Sequence, residues 1–262
     1  MIELPTQKSV AEDYNPKLLV IFGKPKTGKS SFCAALDNNL IIDLEDGYRA
    51  LSVLKTQATS YNDLYEIAVS LDKKKKELGG KNPYKFITID NASRLEVFCL
   101  KRALLEYRMT TQGKSFGVVQ NSTGQYVYDP NADVRQLPKG AGYGVLREVV
   151  KRAIEMFTHY ADTVILVGHV KDSTIEKDGK ELNEMSFDLV GKLANIICGI
   201  ADGTGYMYRN EEGTHLSFRG GNDIIMGVRC PHLREKDFLV AKTPKNVEDA
   251  PVFDTSEIFL KK

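Results

Sequence analysis

Gly23-Lys-Pro-Lys-Thr-Gly-Lys-Ser30 follows directly on the apolar run Leu18-Leu-Val-Ile-Phe22, and these two stretches together decide the fold. The run is short and continuous, the mark of a strand buried on both faces of a parallel sheet. The octapeptide meets the phosphate-binding pattern G-x-x-x-x-G-K-[ST] at Gly23, Gly28, Lys29 and Ser30. In such a P-loop, successive backbone N–H groups at the start of a helix cradle phosphate oxygens. A chance match in a chain of this length is of order 1%, and the preceding strand and following helical pattern lower it further. Gly23, Lys24, Pro25, Lys26, Thr27, Gly28, Lys29, Ser30 and Ser31 are therefore expected to bind a nucleoside triphosphate, ATP, together with Mg²⁺. Lys29 is expected to reach the β and γ phosphates, and Ser30 to offer its hydroxyl to the metal.

Outward from this motif, a helix is predicted from Lys29 to about Leu36, then a second buried strand, Leu40-Ile-Ile-Asp-Leu44, ending in Glu45-Asp-Gly47. Strand, loop, helix and strand make one βαβ unit. Leu64, Ile67, Ala68 and Leu71 mark a helix that runs into the lysines at 73–76 and stops at Gly79-Gly80, and those lysines read as a solvated helix end. The third strand is Phe86-Ile-Thr-Ile-Asp90, followed by a helix from about Ala92 to Tyr107. Residues 109–142 are rich in Gly, Gln, Asn, Thr and Pro and show no sustained periodicity, so they read as a long loop inserted for function or mobility. Val145, Leu146, Val149, Val150, Ala153, Ile154 and Phe157 restore helical spacing, and Thr163-Val-Ile-Leu-Val167 is a fourth buried strand ending at Gly168-His169. A polar stretch to Ser186 suggests a loop or hairpin around Asp178-Gly179, then a helix lies near Leu189 to Cys198. Tyr206 to Arg209 and His215 to Phe218 alternate like an antiparallel hairpin.

Three strand ends carry candidate chemistry. Asp90 closes an apolar strand, where a Walker B acid holds the metal through water, although an N-cap for the helix at Ala92 is the structural alternative. Glu45 follows the second strand, read as lying beside the P-loop strand, where a carboxylate can take a proton from water attacking the γ phosphate. Asp43, inside the strand, and Asp46, in the turn, are its rivals for that role.

Composition narrows the setting. The chain has 262 residues, 42% hydrophobic and 27% charged, with a formal net charge of +1, so no global field draws it to nucleic acid or an anionic membrane. Cys33, Cys99, Cys198 and Cys230 lie far apart without C-x-x-C spacing, which speaks against a structural zinc site or disulfide framework and for a reducing cytoplasm. No stretch approaches the roughly twenty apolar residues that span a bilayer.

The order of the P-loop, Ile42-Asp-Leu-Glu-Asp-Gly47, Ile87-Thr-Ile-Asp90 and Ile165-Leu-Val-Gly-His169 resembles the RecA-like ATPase core across about residues 17–230. It is most similar to phage-encoded P-loop ATPases of the Sak type, RecA-like single-strand annealing proteins of homologous recombination. The resemblance implies an α/β fold in residues 1–262: a RecA-like P-loop NTPase core with a mainly parallel sheet flanked by helices, a loop insertion at about 109–142, and C-terminal antiparallel strands within about 200–262. It places Glu45 on the catalytic glutamate and Asp90 on the Walker B acid. His169 falls where RecA has a γ-phosphate-sensing glutamine, beside the bland reading of a structural histidine.

The same resemblance implies a Mg²⁺-dependent, DNA-stimulated ATPase that acts on single-stranded DNA as a ring or filament of like subunits, alongside a single-strand DNA-binding protein. Its DNA loops correspond to residues 109–142 and 170–186. The first carries Lys114, Arg135 and Lys139 with Phe116, Tyr126 and Tyr128, suited to phosphates and stacked bases or to a plain surface loop. Arg219, Arg229, Arg234, Lys242 and Lys245 are candidates to cross a subunit interface, with Arg229 preferred. The alternatives are a P-loop kinase of a small molecule or nucleotide, and a nucleotide-switched interaction protein.

Overall fold

Strand β1 (Leu18–Gly23) is buried along its whole length, and a sheet grows from it on both sides. In chain order there follow α1 (Lys29–Ala34), β2 (Asn39–Asp43), β3 (Leu54–Gln57), α2 (Tyr61–Glu77), β4 (Tyr84–Asp90), α3 (Ala92–Arg108), β5 (Val118–Gln120), β6 (Tyr126–Tyr128) and α4 (Ala141–Thr158). Then come β7 (Ala161–Lys177), β8 (Lys180–Phe187), α5 (Leu193–Ile200), β9 (Gly203–Arg209), β10 (Gly213–Ser217), β11 (Gly227–Val228) and β12 (Asp237–Lys242). These positions come from a computed structural model that describes residues 4, 6–8, 10, 12–177, 180–221, 224–246 and 249–261, with side chains described outside 173–184.

The main sheet has the order β12-β10-β9-β1-β7-β4-β2-β3. From β3 through β9 all neighbours are parallel, and β10 and β12 add an antiparallel edge. This is the α/β architecture expected: a mostly parallel sheet, flanking helices and C-terminal antiparallel strands. Because successive side chains point to opposite faces, Val20, Phe22, Ile42, Ile87 and Leu166 pack with α2, α3, α4 and α5 on one side. Leu19, Ile21, Ile41 and Ile165 meet Phe32 of α1 together with Phe238, Val240, Ile258 and Phe259 on the other. Both faces of β1 are dry, which is why its sequence is a continuous apolar run rather than an alternation. Helices α2 and α3 begin where a polar side chain satisfies a free N–H group: Ser60 accepts from Asp63 N at 3.1 Å, and Asn91 accepts from Arg94 N at 3.0 Å.

Several expectations are corrected. The second strand does not lie beside β1, since β4 and β7 stand between them; adjacency in sequence does not fix adjacency in a crossover sheet. β3 has no counterpart in the sequence reading because it is a short, mostly exposed edge strand of mixed polarity. Residues 109–142 are not structureless. Val134 and Leu137 are buried in the core, β5 and β6 form a small antiparallel hairpin, and Arg108 donates to the carbonyls of Phe116 and Asp129. β7 runs well past the anticipated strand end and turns back as β8, with Val170 paired to Phe187; the hairpin tip at residues 178–179 lies outside the described residues. The late helix starts at Leu193, a few residues further on than its apolar run suggests.

Phe187 anchors the return of that hairpin. Its ring is fully buried, 6.1 Å from Phe22, and fills the space that a Cβ on Gly168 would occupy. Phe187→Ala is expected to cost about 3–5 kcal/mol in urea unfolding; a loss under about 1 kcal/mol would show that the hairpin base is not part of the cooperative core.

Candidate functional site

The carboxyl ends of the parallel strands converge on a cleft of about 400 Å³, lined among others by Gly28, Lys29, Ser30, Glu45, Asp90 and His169. Ligand crevices of open α/β sheets lie at this edge. The turn out of β1 is tight. Gly23 has Met207 O only 2.2 Å from where a Cβ would sit, Lys26 takes φ 64°, and Gly28 takes φ 104° immediately before α1. Thr27 Oγ1 donates to Lys24 O at 2.9 Å and closes the loop. Pro25, Lys26 and Ser31 also face the cleft.

Lys29 is buried, with Nζ donating to the carbonyls of Gly23 at 2.9 Å and Lys24 at 2.8 Å. Burial pushes its ammonium below the ordinary lysine range, opposed by the charge of Asp90. Asp90 Oδ2 accepts two hydroxyls, from Ser30 Oγ at 3.0 Å and from Tyr48 OH at 2.6 Å. Burial raises the Asp90 carboxyl above its usual range, while the Tyr48 and Ser30 hydroxyls and Lys29 pull it back. The N-cap alternative for Asp90 fails, since the cap of α3 is Asn91. Ser30 and Asp90 put two hard oxygens side by side. That donor set suits a Mg²⁺ ion that keeps waters and phosphate oxygens as its other ligands, so these residues fit the metal.

The three acids around the end of β2 are now distinguishable. Asp43 is buried, and its carboxylate accepts the backbone N–H of Glu45, Gly47 and Tyr48, so it shapes the turn. Asp46 is held by Arg49. Glu45 is exposed to the cleft and its Oε2 accepts from Asn91 Nδ2 at 2.8 Å. The same amide lies 3.3 Å from His169 Nε2, while His169 Nδ1 is buried with no hydrogen-bond partner among the described residues. Glu45, Asn91 and His169 thus form one chain across the ends of β2, β4 and β7.

The basic loop residues are more dispersed. Phe116 packs edge-on against Tyr107 at 5.6 Å and is half-buried, and Arg135 is paired with Asp133 at 2.6 Å. Lys114, Lys139 and Tyr126 are exposed, and Tyr128 lies under the guanidinium of Arg108. Arg229 donates to Gly199 O at 2.6 Å and pairs with Asp202. Asp202 caps the N–H groups of Lys17 and Leu18, at the opposite edge of the sheet from the cleft.

A protein-family model described as an AAA domain, AAA_24, matches residues 15–243. The chain belongs to that family. Membership in this AAA-domain family makes it a P-loop protein of the nucleotide-binding ATPase class. No curated protein matches the chain. Among the described residues of this AAA domain, no helix is long and apolar enough to cross a membrane.

Sequence reasoning missed Tyr48, Asn91 and Arg209, all of which line the cleft. Asn91 had a usable signal, as an N-cap residue directly after a strand-end acid. Tyr48 had only its place after the Glu-Asp-Gly turn, and Arg209 its place at the end of an alternating segment. Tyr48 is almost wholly buried, and burial drives its phenol far above the normal range, so it stays a donor to Asp90. Tyr48→Phe keeps the ring and removes that bond. It is expected to lower stability by roughly 1–3 kcal/mol in urea unfolding at neutral pH, whereas a change within about 0.5 kcal/mol would detach Tyr48 from the support of Asp90.

Proposed function

We propose that this protein is a RecA-like ATPase that couples ATP hydrolysis to work on single-stranded DNA in phage homologous recombination, as an annealing or strand-pairing protein of the Sak type. One observation carries the reading: a carboxylate, Glu45, is held at the rim of the P-loop cleft by Asn91, which also touches His169. The acid is free of any ion pair among the described residues, which leaves it available as a base. Bound Mg²⁺ would neutralise phosphate charge beside Ser30 and Asp90.

The step assigned to this chain is proton removal. Glu45 takes a proton from a water as its oxygen bonds to the γ phosphorus and the bond to the β-phosphate oxygen breaks, leaving ADP and phosphate. Lys29 leaves its carbonyl partners and holds the β and γ oxygens. Removing the γ phosphate alters what Asn91 and His169 can contact. His169 belongs to the same strand that continues into the β7–β8 hairpin, so a shift there has a continuous route to residues 170–187.

The DNA part of the proposal draws its support from the exposed Tyr126 and Tyr128 of β6, with Lys114 beside Tyr128, aromatic rings and a cation of the kind that hold stacked bases and phosphates; Lys139 is exposed before α4. Assembly into a ring or filament is part of the same proposal, because one subunit offers only short hairpins, and a long single strand is followed only when subunits repeat.

Steady-state ATP hydrolysis, measured with and without single-stranded DNA, tests the two parts separately. Lys29→Ala is expected to abolish MgATP binding, and Glu45→Gln to keep binding while slowing turnover about 10²–10⁴-fold. Chelation of Mg²⁺ should stop turnover. Normal hydrolysis by Glu45→Gln would remove Glu45 as the base, and turnover and binding both indifferent to DNA would remove the recombination reading while leaving the ATPase intact.

A further inference from the structure

Ten of the eleven arginines place their guanidinium on a carboxylate, a backbone carbonyl or an aromatic ring of a described residue. Arg209 is the exception. It is exposed, makes no hydrogen bond, ion pair or ring contact to any described residue, and lines the P-loop cleft. A lone guanidinium at the mouth of a phosphate site is an unmatched charge in the place where an anion is to be held.

Its position follows from the strand register. β9 runs parallel to β1 with Phe22 opposite Tyr206, so Met207 reaches Gly23, and Met207 O indeed blocks the Cβ position there. Arg209 lies two residues further, about 6–7 Å beyond the strand end at the usual rise. The rung it shares with Thr214 sits over the P-loop, because Thr214 Cγ2 and the Phe253 ring are among the nearest atoms to a Cβ built on Gly28. Pro251 also lines the cleft.

The sheet order assigns this residue to one part of the ligand. β7 and β4, which carry His169 and Asp90, and β2, which leads into Glu45, lie on one side of β1, and β9 lies on the other. The acid, the proposed metal oxygens and Asn91 are gathered on the first side, where the γ phosphate must be for water to reach it. The second side is left for the remainder of the phosphate chain, which the P-loop backbone already cradles at its α and β groups.

We propose that Arg209 is a binding residue that grips the α and β phosphates of the nucleotide in its own subunit from the β9 side. The assignment rests on the nucleotide-binding reading of the cleft. It accounts for a cation that has no structural duty, and it makes the grip common to triphosphate and diphosphate.

Calorimetric titration of Arg209→Ala, Arg209→Lys, Lys29→Ala and the wild type with MgATP and MgADP tests it. Arg209→Ala is expected to weaken ATP and ADP by similar factors, roughly 10- to 100-fold, the worth of a charge-assisted hydrogen bond. Arg209→Lys should lose less, since it keeps the charge and gives up only the two-pronged geometry. An unchanged melting temperature of ligand-free Arg209→Ala would separate lost binding from lost structure, and Arg209→Lys carries the test if the alanine variant melts early. Wild-type affinity of Arg209→Ala for both nucleotides overturns the proposal and leaves Arg209 a solvated cation. A loss confined to ATP overturns it in favour of a γ-phosphate contact. If Lys29→Ala loses binding while Arg209→Ala does not, the fault lies with Arg209 alone, whereas a wild type that binds neither nucleotide removes the nucleotide reading and this assignment with it.

Discussion

The carboxylate of Asp90 ties together three pieces of chain that are far apart in sequence. It sits at the end of β4 and accepts the hydroxyl of Ser30 from the start of α1 and that of Tyr48 from beyond the β2 turn. A carboxylate drawn partly out of water is costly unless it is well hydrogen-bonded. Meeting that need fixes the spacing between the phosphate loop and the acid-bearing turn. The turn in turn depends on Asp43, whose three backbone contacts hold residues 44–48 in the one path that presents Glu45 outward and Tyr48 inward. Glu45 can stand at the rim of the cleft because its neighbours on either side are bound elsewhere.

Much of this was legible in the residues, and the boundary is instructive. The core strands declared themselves because a parallel strand buried on both faces has no polar positions, as β1, β2 and β4 show. The phosphate loop was legible because its glycines are demanded by backbone geometry, Gly23 by the approach of Met207 and Gly28 by its left-handed φ. β3 was invisible for the opposite reason: an exposed edge strand of four residues needs no apolar pattern. The insertion at 109–142 hides its anchors, since Val134 and Leu137 are single apolar residues between polar ones, and only the finished core reveals that both are buried.

The candidate site divides along the same line. Residues fixed by local chain geometry, from Gly23 to Ser31 and Asp90 at a strand end, could be named in advance. Tyr48, Asn91 and Arg209 become meaningful only through partners at long sequence distance, as with the contact between Asn91 and His169. Choosing among Asp43, Glu45 and Asp46 likewise needed the partners of each acid. Arg229 shows the converse: its contacts with Asp202 and two carbonyls at the far edge of the sheet could not be read from its place in the sequence.

The ring of Phe253 lies edge-on to Phe32 and closes the space beside Gly28. The segment that supplies it lies past residue 243, where the family match ends, yet it forms the wall behind the phosphate loop. The working unit of this protein is therefore longer than its recognisable one. Shortening the chain at residue 243 would leave every residue of the loop in place and take away the ring that backs it.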